Sequence, residues 1–178
     1  KKVKEFISTA LKNLKTKLEK WFFFFSNSLF FTNPIKSEPL AFITCQESNQ
    51  VDVVNLKSFT VEYSYKVGSA PAAIDVDIKK KMVYVANPNS NNVSIINIKT
   101  RKVVNIAANK SPLGIKYHGI LNKIVVSNWY DDTITIIDQD KKEKKTIKVG
   151  KSPAGIDIHP ITGQIVVANR DSNTVNII

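Results

Sequence analysis

Cysteine is nearly absent. Cys45 is the only one in 178 residues, which rules out an internal disulfide and every cysteine-rich zinc, iron-sulfur or haem-attachment pattern. Histidine is almost as scarce: His118 and His159 sit near the ends of two separate apolar runs, with no third ligand at metal spacing. They read as turn residues without chemistry, acid-base or metal work being the sharper alternative. No nucleophile motif, phosphate-cradling loop or dinucleotide fingerprint occurs, so no metal, cofactor or catalytic residue is expected. Acidic residues are also few. Fifteen Asp and Glu against 26 Lys and Arg leave a formal charge of +11, which favours anionic partners, although a Lys- and Asn-rich genome bias would produce the same balance.

A membrane-spanning run is missing too. Trp21 to Phe31 is uncharged and rich in phenylalanine, but it is broken by Ser26-Asn27-Ser28 and falls short of the roughly 20 apolar residues a spanning helix needs. Ahead of it, residues 1 to 21 hold seven lysines against two glutamates. Ile7, Leu11, Leu14, Leu18, Trp21 and Phe25 fall at three- and four-residue steps between the charges, which predicts a basic amphipathic helix. Residues 1–37 are therefore expected to be a signal or membrane-anchor candidate plus a linker, with Pro34, Ser37 and Pro39 marking a boundary near residue 38 and residues 1–31 meeting an anionic membrane surface. A helix packed on the folded domain is the alternative. The folded domain is expected over residues 38–178.

What the chain does have is a repeat. Tyr84-Val85-Ala86-Asn87, Val125-Val126-Ser127-Asn128 and Val166-Val167-Ala168-Asn169 are three apolar runs ending in asparagine, the asparagines 41 residues apart. Pro71, Pro112 and Pro153 keep the same spacing. The next apolar residues, Val51, Val93, Ile134 and Val175, lie 42, 41 and 41 apart, so Phe42 to Cys45 is a degenerate first copy. Each full unit carries four strand-like pieces. Strand a follows the proline (Ala73 to Ile78, Gly114 to Tyr117, Gly155 to Ile158), and strand b is the asparagine-ended run. Strand c is Val93 to Ile98, Ile134 to Ile137 and Val175 to Ile178; strand d is Val103 to Ala107 and Thr146 to Val149. Four short strands in about 40 residues is the size of one propeller blade. The continuous apolar character of strand b suits a sheet buried on both faces, and the alternation of strand d suits an outer edge.

At these residues the chain resembles the YVTN-repeat β-propeller family, whose signature strand stands here as YVAN, VVSN and VVAN. SNNVSIINI, DDTITIID and SNTVNII follow the asparagines, and VGSAPAAIDV and VGKSPAGIDI precede the next ones. The resemblance covers residues 40 to 178. It departs at Cys45, in place of an asparagine, and at Asn109, in place of the glycine seen at Gly68 and Gly150, where asparagine suits a positive φ. It implies an all-β fold of four-stranded antiparallel blades, similar to lactonase-like, quinoprotein amine dehydrogenase subunit-like and surface-layer propellers. Such proteins are usually seven-bladed and often exported, so the chain is expected to be about half of a ring and a piece of a longer protein. Its open blade faces would then favour self-association.

Function is expected from the turns. Asn87, Asn128 and Asn169 are expected to hold the b-to-c turn by bonding its backbone, while Gly68, Gly150 and the prolines shape the d-to-a turn. Asp75, Lys116 and Asp157 share one position near the central axis, either as channel-mouth ligands or as charges paired with one another. In an up-and-down blade the a-to-b and c-to-d turns emerge at one end. That end collects Lys79, Lys80, Lys81, Lys99, Arg101, Lys102, Lys123, Lys141, Lys142, Lys144 and Lys145. The other end has one irregular turn, Trp129-Tyr130-Asp131-Asp132, a candidate for holding a partner or sugar. The combined expectation is a non-catalytic scaffold, periplasmic, at the cell surface or membrane-associated, that binds a protein or polyanionic partner through its turns. A lactonase-like or quinoprotein-like enzyme piece is the alternative, and nucleic acid is a third partner class resting on charge alone.

Overall fold

The computed structural model describes residues 38–141 and 143–178. The amphipathic helix and phenylalanine-rich segment expected over residues 1–37 lie outside the described residues, as does Lys142.

Among the described residues, fourteen strands form four sheets in chain order. The first sheet holds β1 (Leu40–Cys45), β2 (Gln50–Asn55) and β3 (Thr60–Lys66); the second holds β4 (Ile74–Asp77), β5 (Met82–Asn87), β6 (Asn92–Asn97) and β7 (Val103–Ala107). The third contains β8 (Pro112–His118), β9 (Lys123–Asn128), β10 (Thr133–Asp138) and β11 (Glu143–Lys148), and the fourth β12 (Pro153–Ile158), β13 (Ile165–Asn169) and β14 (Thr174–Ile177). Each strand pairs with its sequence neighbour, so every sheet is a meander. The 41-residue period is therefore one sheet. Several strands start earlier than the hydrophobic pattern predicts: β8 and β12 take in their prolines, and β11 begins at Glu143 because Lys144 and Lys145 pair with Ile137 and Ile136.

By contacts the chain forms two compact units. The smaller contains, among described residues, Glu38, Pro39 and Asn55–Thr60. In it Leu56 N donates to Pro39 O at 2.8 Å, and Asn55 Oδ1 accepts from Lys57 N at 2.8 Å. The larger unit, Leu40–Val54 with Val61–Ile178, holds the core.

That core lies between sheets, not within them. Val51, Val53 and Tyr65 of the first sheet pack on Val83, Val85 and Ile96 of the second. On the second sheet's other face, Tyr84, Ala86, Val93 and Ile95 meet Ile115, Ile124, Val126 and Ile137 of the third. Val125 and Ile134 then meet Ile156, Ile165 and Val167 of the fourth. Alternate residues of one strand thus serve opposite neighbours, which is why β5 and β9 are apolar and buried nearly throughout. Outer strands β7 and β11 are mostly exposed, as their half-polar sequences predict.

The glycines have a different cause from the one the turn pattern suggests. Neither Gly68 nor Gly150 has a positive φ, and neither does Asn109; that conformation goes to Ala70, Ser111 and Ser152, each just before its proline. Space is the constraint. A Cβ on Gly68 would stand 2.7 Å from Asn87 Cβ, and one on Gly150 would stand 2.7 Å from Asn169 Cγ. The close approach lets Gly68 N donate to Ser94 Oγ at 3.1 Å and Gly150 N to Asn176 Oδ1 at 3.0 Å. Gly150→Ala should cost about 1–3 kcal/mol by overpacking, and Gly150→Asn more, despite Asn109 at the equivalent place. Chemical denaturation measures both; an asparagine variant as stable as the parent would remove space as the reason.

Candidate functional site

One end of the sheets is built by the a-to-b and c-to-d turns, and each is closed by a side chain that accepts turn amides. In the a-to-b series Asp77 Oδ1 accepts from Lys79 N at 3.0 Å and Lys80 N at 3.1 Å. His118 Nδ1 accepts from Leu121 N at 3.2 Å, and His159 Nδ1 from Thr162 N at 3.1 Å. Asn97 and Asp138 do the same for the c-to-d turns, accepting from Thr100 N at 3.0 Å and Lys141 N at 3.1 Å. The two histidines therefore occupy one repeated capping position. His118 is more than a surface turn residue: it is 2% exposed, and its Nε2 lies 2.8 Å from Gly163 O, tying the third sheet to the fourth.

Between these turns lies a cavity of about 920 Å³, bounded by residues 76–80, 117–120, Asn122 and 158–160. Tyr117 lines it. Tyr117 stacks on Tyr84 with ring centroids 5.3 Å apart, and its hydroxyl donates to Asn122 Oδ1 at 2.8 Å. Burial pushes both phenols up, that of Tyr84 to about 12, so both stay protonated at neutral pH. Lys80 Nζ sits 5.9 Å from the Tyr117 centroid and also bonds Asn122. Of the axial charges, Asp75 Oδ2 accepts from Tyr117 N at 2.7 Å, and Lys116 Nζ lies 3.5 Å from Asp157 Oδ1. They satisfy a neighbouring backbone group and one another. Among the described residues, no group of three or more His, Cys, Asp or Glu could hold a metal ion.

The basic residues sort into used and unused. Arg101 stacks 4.5 Å over Tyr63, and Lys123 lies 3.7 Å from Asp138. Lys144 and Lys145 belong to strand β11 instead of a turn, because pairing starts at Glu143, and Lys144 Nζ bonds Ala107 O of the second sheet. Lys79, Lys81, Lys99, Lys102 and Lys141 are exposed at the turns and form no ion pair among the described residues.

At the opposite end the repeated asparagines hold strand c. Asn128 Nδ2 donates to Thr133 Oγ1 at 3.0 Å and Thr135 Oγ1 at 2.9 Å; Asn87 reaches Asn92 and Ser94, and Asn169 reaches Thr174 and Asn176. Left-handed geometry falls four residues later, at Asn91, Asp132 and Asn173, while Asn87 has φ −120°. Asp132 Oδ1 accepts from Ser152 N at 2.9 Å, as Asn91 Oδ1 accepts from Ser111 N at 2.8 Å. Asp131 Oδ2 accepts from Lys110 N at 2.8 Å, the part played by Ser90 toward Ser69. Both carboxylates thus fill repeat positions. Trp129 is half-buried with the Arg170 guanidinium 5.4 Å from its ring, and Tyr130 is 75% exposed.

Solved structures with the same arrangement include Kuenenia stuttgartiensis hydrazine synthase, at TM-score 0.65 and 19% identity over 85% of this chain and 53% of that one. The WD40 β-propeller domain of Doa1 gives TM-score 0.68 at 16% identity over 80% and 47%. Streptogramin B lyase gives 0.69 at 14% over 78% and 47%. The fold is a partial β-propeller. Each sheet is one blade, and the chain spans about half the length of the propellers it matches. No protein-family model matches it, and no curated protein matches it in sequence. The matched propellers include enzymes and a WD40 domain, so the likeness carries the fold alone.

Tyr130→Ala should leave blade stability within about 0.5 kcal/mol, whereas Asp132→Ala, which strips Ser152 N of its acceptor, should cost about 1–3 kcal/mol. Thermal unfolding ranks the two, and equal effects would contradict the pairing. The Asp138 carboxyl is held below the usual range, first by the Lys141 backbone N–H. Its contribution is therefore present above the ordinary carboxylate pKa and lost as pH falls through the lowered folded value. Asp138→Asn keeps the turn, as Asn97 does, so parent and variant melting temperatures should converge on acidification; a constant gap would refute this.

Proposed function

We propose that this β-propeller chain is a non-catalytic binding module that takes a polyanionic partner on the end built by its a-to-b and c-to-d turns. One observation carries the reading. At that end the groups suited to acid-base work, Asp77, His118 and His159, are spent on turn amides, while Lys79, Lys81, Lys99, Lys102 and Lys141 are exposed at the turns and form no ion pair among the described residues. Unpaired like charges gathered on one surface raise the local potential and the on-rate for anions. The resemblance to YVTN-repeat propellers supplies the finer family name and, with the basic arm of residues 1–21, an exported or membrane-associated location.

Heparin chromatography of the full chain tests the reading. The triple variant Lys79→Glu, Lys99→Glu, Lys102→Glu should elute at clearly lower salt than the parent. A charge-matched control at the other end, Lys66→Glu, Lys110→Glu, Lys151→Glu, should move much less. Equal shifts would reduce the effect to net charge and overturn the assignment of this end.

A further inference from the structure

The basic end of the chain also carries its exposed aliphatic turn tips. Ile78 is 72% exposed, Ile120 59%, Leu121 52% and Ile161 83%. All four sit in the a-to-b turns of three successive blades, in the positions that follow the capping residues Asp77, His118 and His159. At the opposite end the one large exposed hydrophobic turn residue among those described is Tyr130. Other exposed aliphatics lie on strands, such as Val104 on β7 and Val175 on β14, or at Ile178 beside β14. The tips stand out from the turns, with Ile78, Ile120 and the Tyr117 ring bordering the cavity.

Two independent features thus coincide on one surface. A soluble polyanion rewards the lysines but gains nothing from four isoleucine and leucine tips held in water. The interface of an anionic bilayer rewards both, since lysines meet phosphate headgroups while aliphatic side chains enter the acyl boundary. Protruding tips also suit a deformable phase better than the fixed relief of a protein partner.

We propose that this end of the propeller docks on an anionic membrane surface. Ile78, Ile120, Leu121 and Ile161 enter the interface, and Lys79, Lys81, Lys99 and Lys102 face the headgroups. The proposal rests on the assignment of the basic end as the binding surface and adds the identity of what it binds.

The test uses the full chain and flotation with vesicles of phosphatidylcholine alone or in equal parts with phosphatidylserine. The parent should float with the anionic vesicles and far less with the neutral ones. Replacing the four tips with serine should lower partitioning roughly a hundredfold and leave heparin elution unchanged. The lysine triple variant should lose on both measurements. A serine variant that floats like the parent would overturn membrane insertion, and so would a parent that binds heparin and ignores both vesicles, in which case the basic-end assignment still stands. A lysine variant unchanged in both would overturn that assignment as well.

Discussion

A β-sheet that is apolar on both faces cannot stay in water alone, and that constraint organises this chain. Strand β5 sends Val83 and Val85 toward the preceding blade and Tyr84 and Ala86 toward the following one. Burying a valine such as Val83 or Val85 is worth about 1.5–3 kcal/mol, against about 0.5–1.5 kcal/mol net for a typical hydrogen bond, and each interface sums many such side chains. The blades therefore stack at a fixed spacing, and strand direction alternates within each. The connecting turns have two places to go. Everything chemical about the molecule is then a property of one end or the other.

Stacking alone would leave the turns loose, and the repeated polar residues remove that freedom. At one end Asn91 and Asp132 reach the next blade's residue before proline, so the b-to-c turn of one blade is bonded to the d-to-a turn beside it. At the other end Asp77, His118 and His159 close their own turns, and His118 additionally grips Gly163. A lysine or isoleucine at such a tip is displayed from a fixed backbone. This holds down the entropy lost on binding, so weak individual contacts can add.

Much of this was legible before any coordinates. The 41-residue period gave the blade count, the strand order and the two ends, because periodicity follows from burial on two faces. What stayed hidden was the cause behind individual repeat residues. Asparagine suggests a turn, yet Asn128 works as an amide donor to Thr133 and Thr135, a pairing that only strand register reveals. Gly150 suggests a left-handed φ, yet its need is room beside Asn169, and no sequence pattern separates those two. Lys144 looked like turn charge until pairing of β11 with β10 took it into the sheet. Nor does hydrophobicity alone mark the exposed tips: Ile120 and Leu121 are apolar like the core, and their exposure depends on a turn that His118 holds shut.

The same periodicity accounts for the apolar outer face of the fourth sheet. Val166, Val175 and Ile177 are 37%, 61% and 68% exposed, and they occupy the places of Tyr84, Val93 and Ile95 in the second blade, which are 1%, 0% and 6% exposed beneath the third. The face therefore carries the same interior chemistry that Ile115, Ile124 and Val126 cover on the second blade. On the docking proposed for the basic end, affinity should grow with the number of exposed a-to-b tips, because each contributes through its exposure and its charge, whereas a single catalytic constellation would not recur.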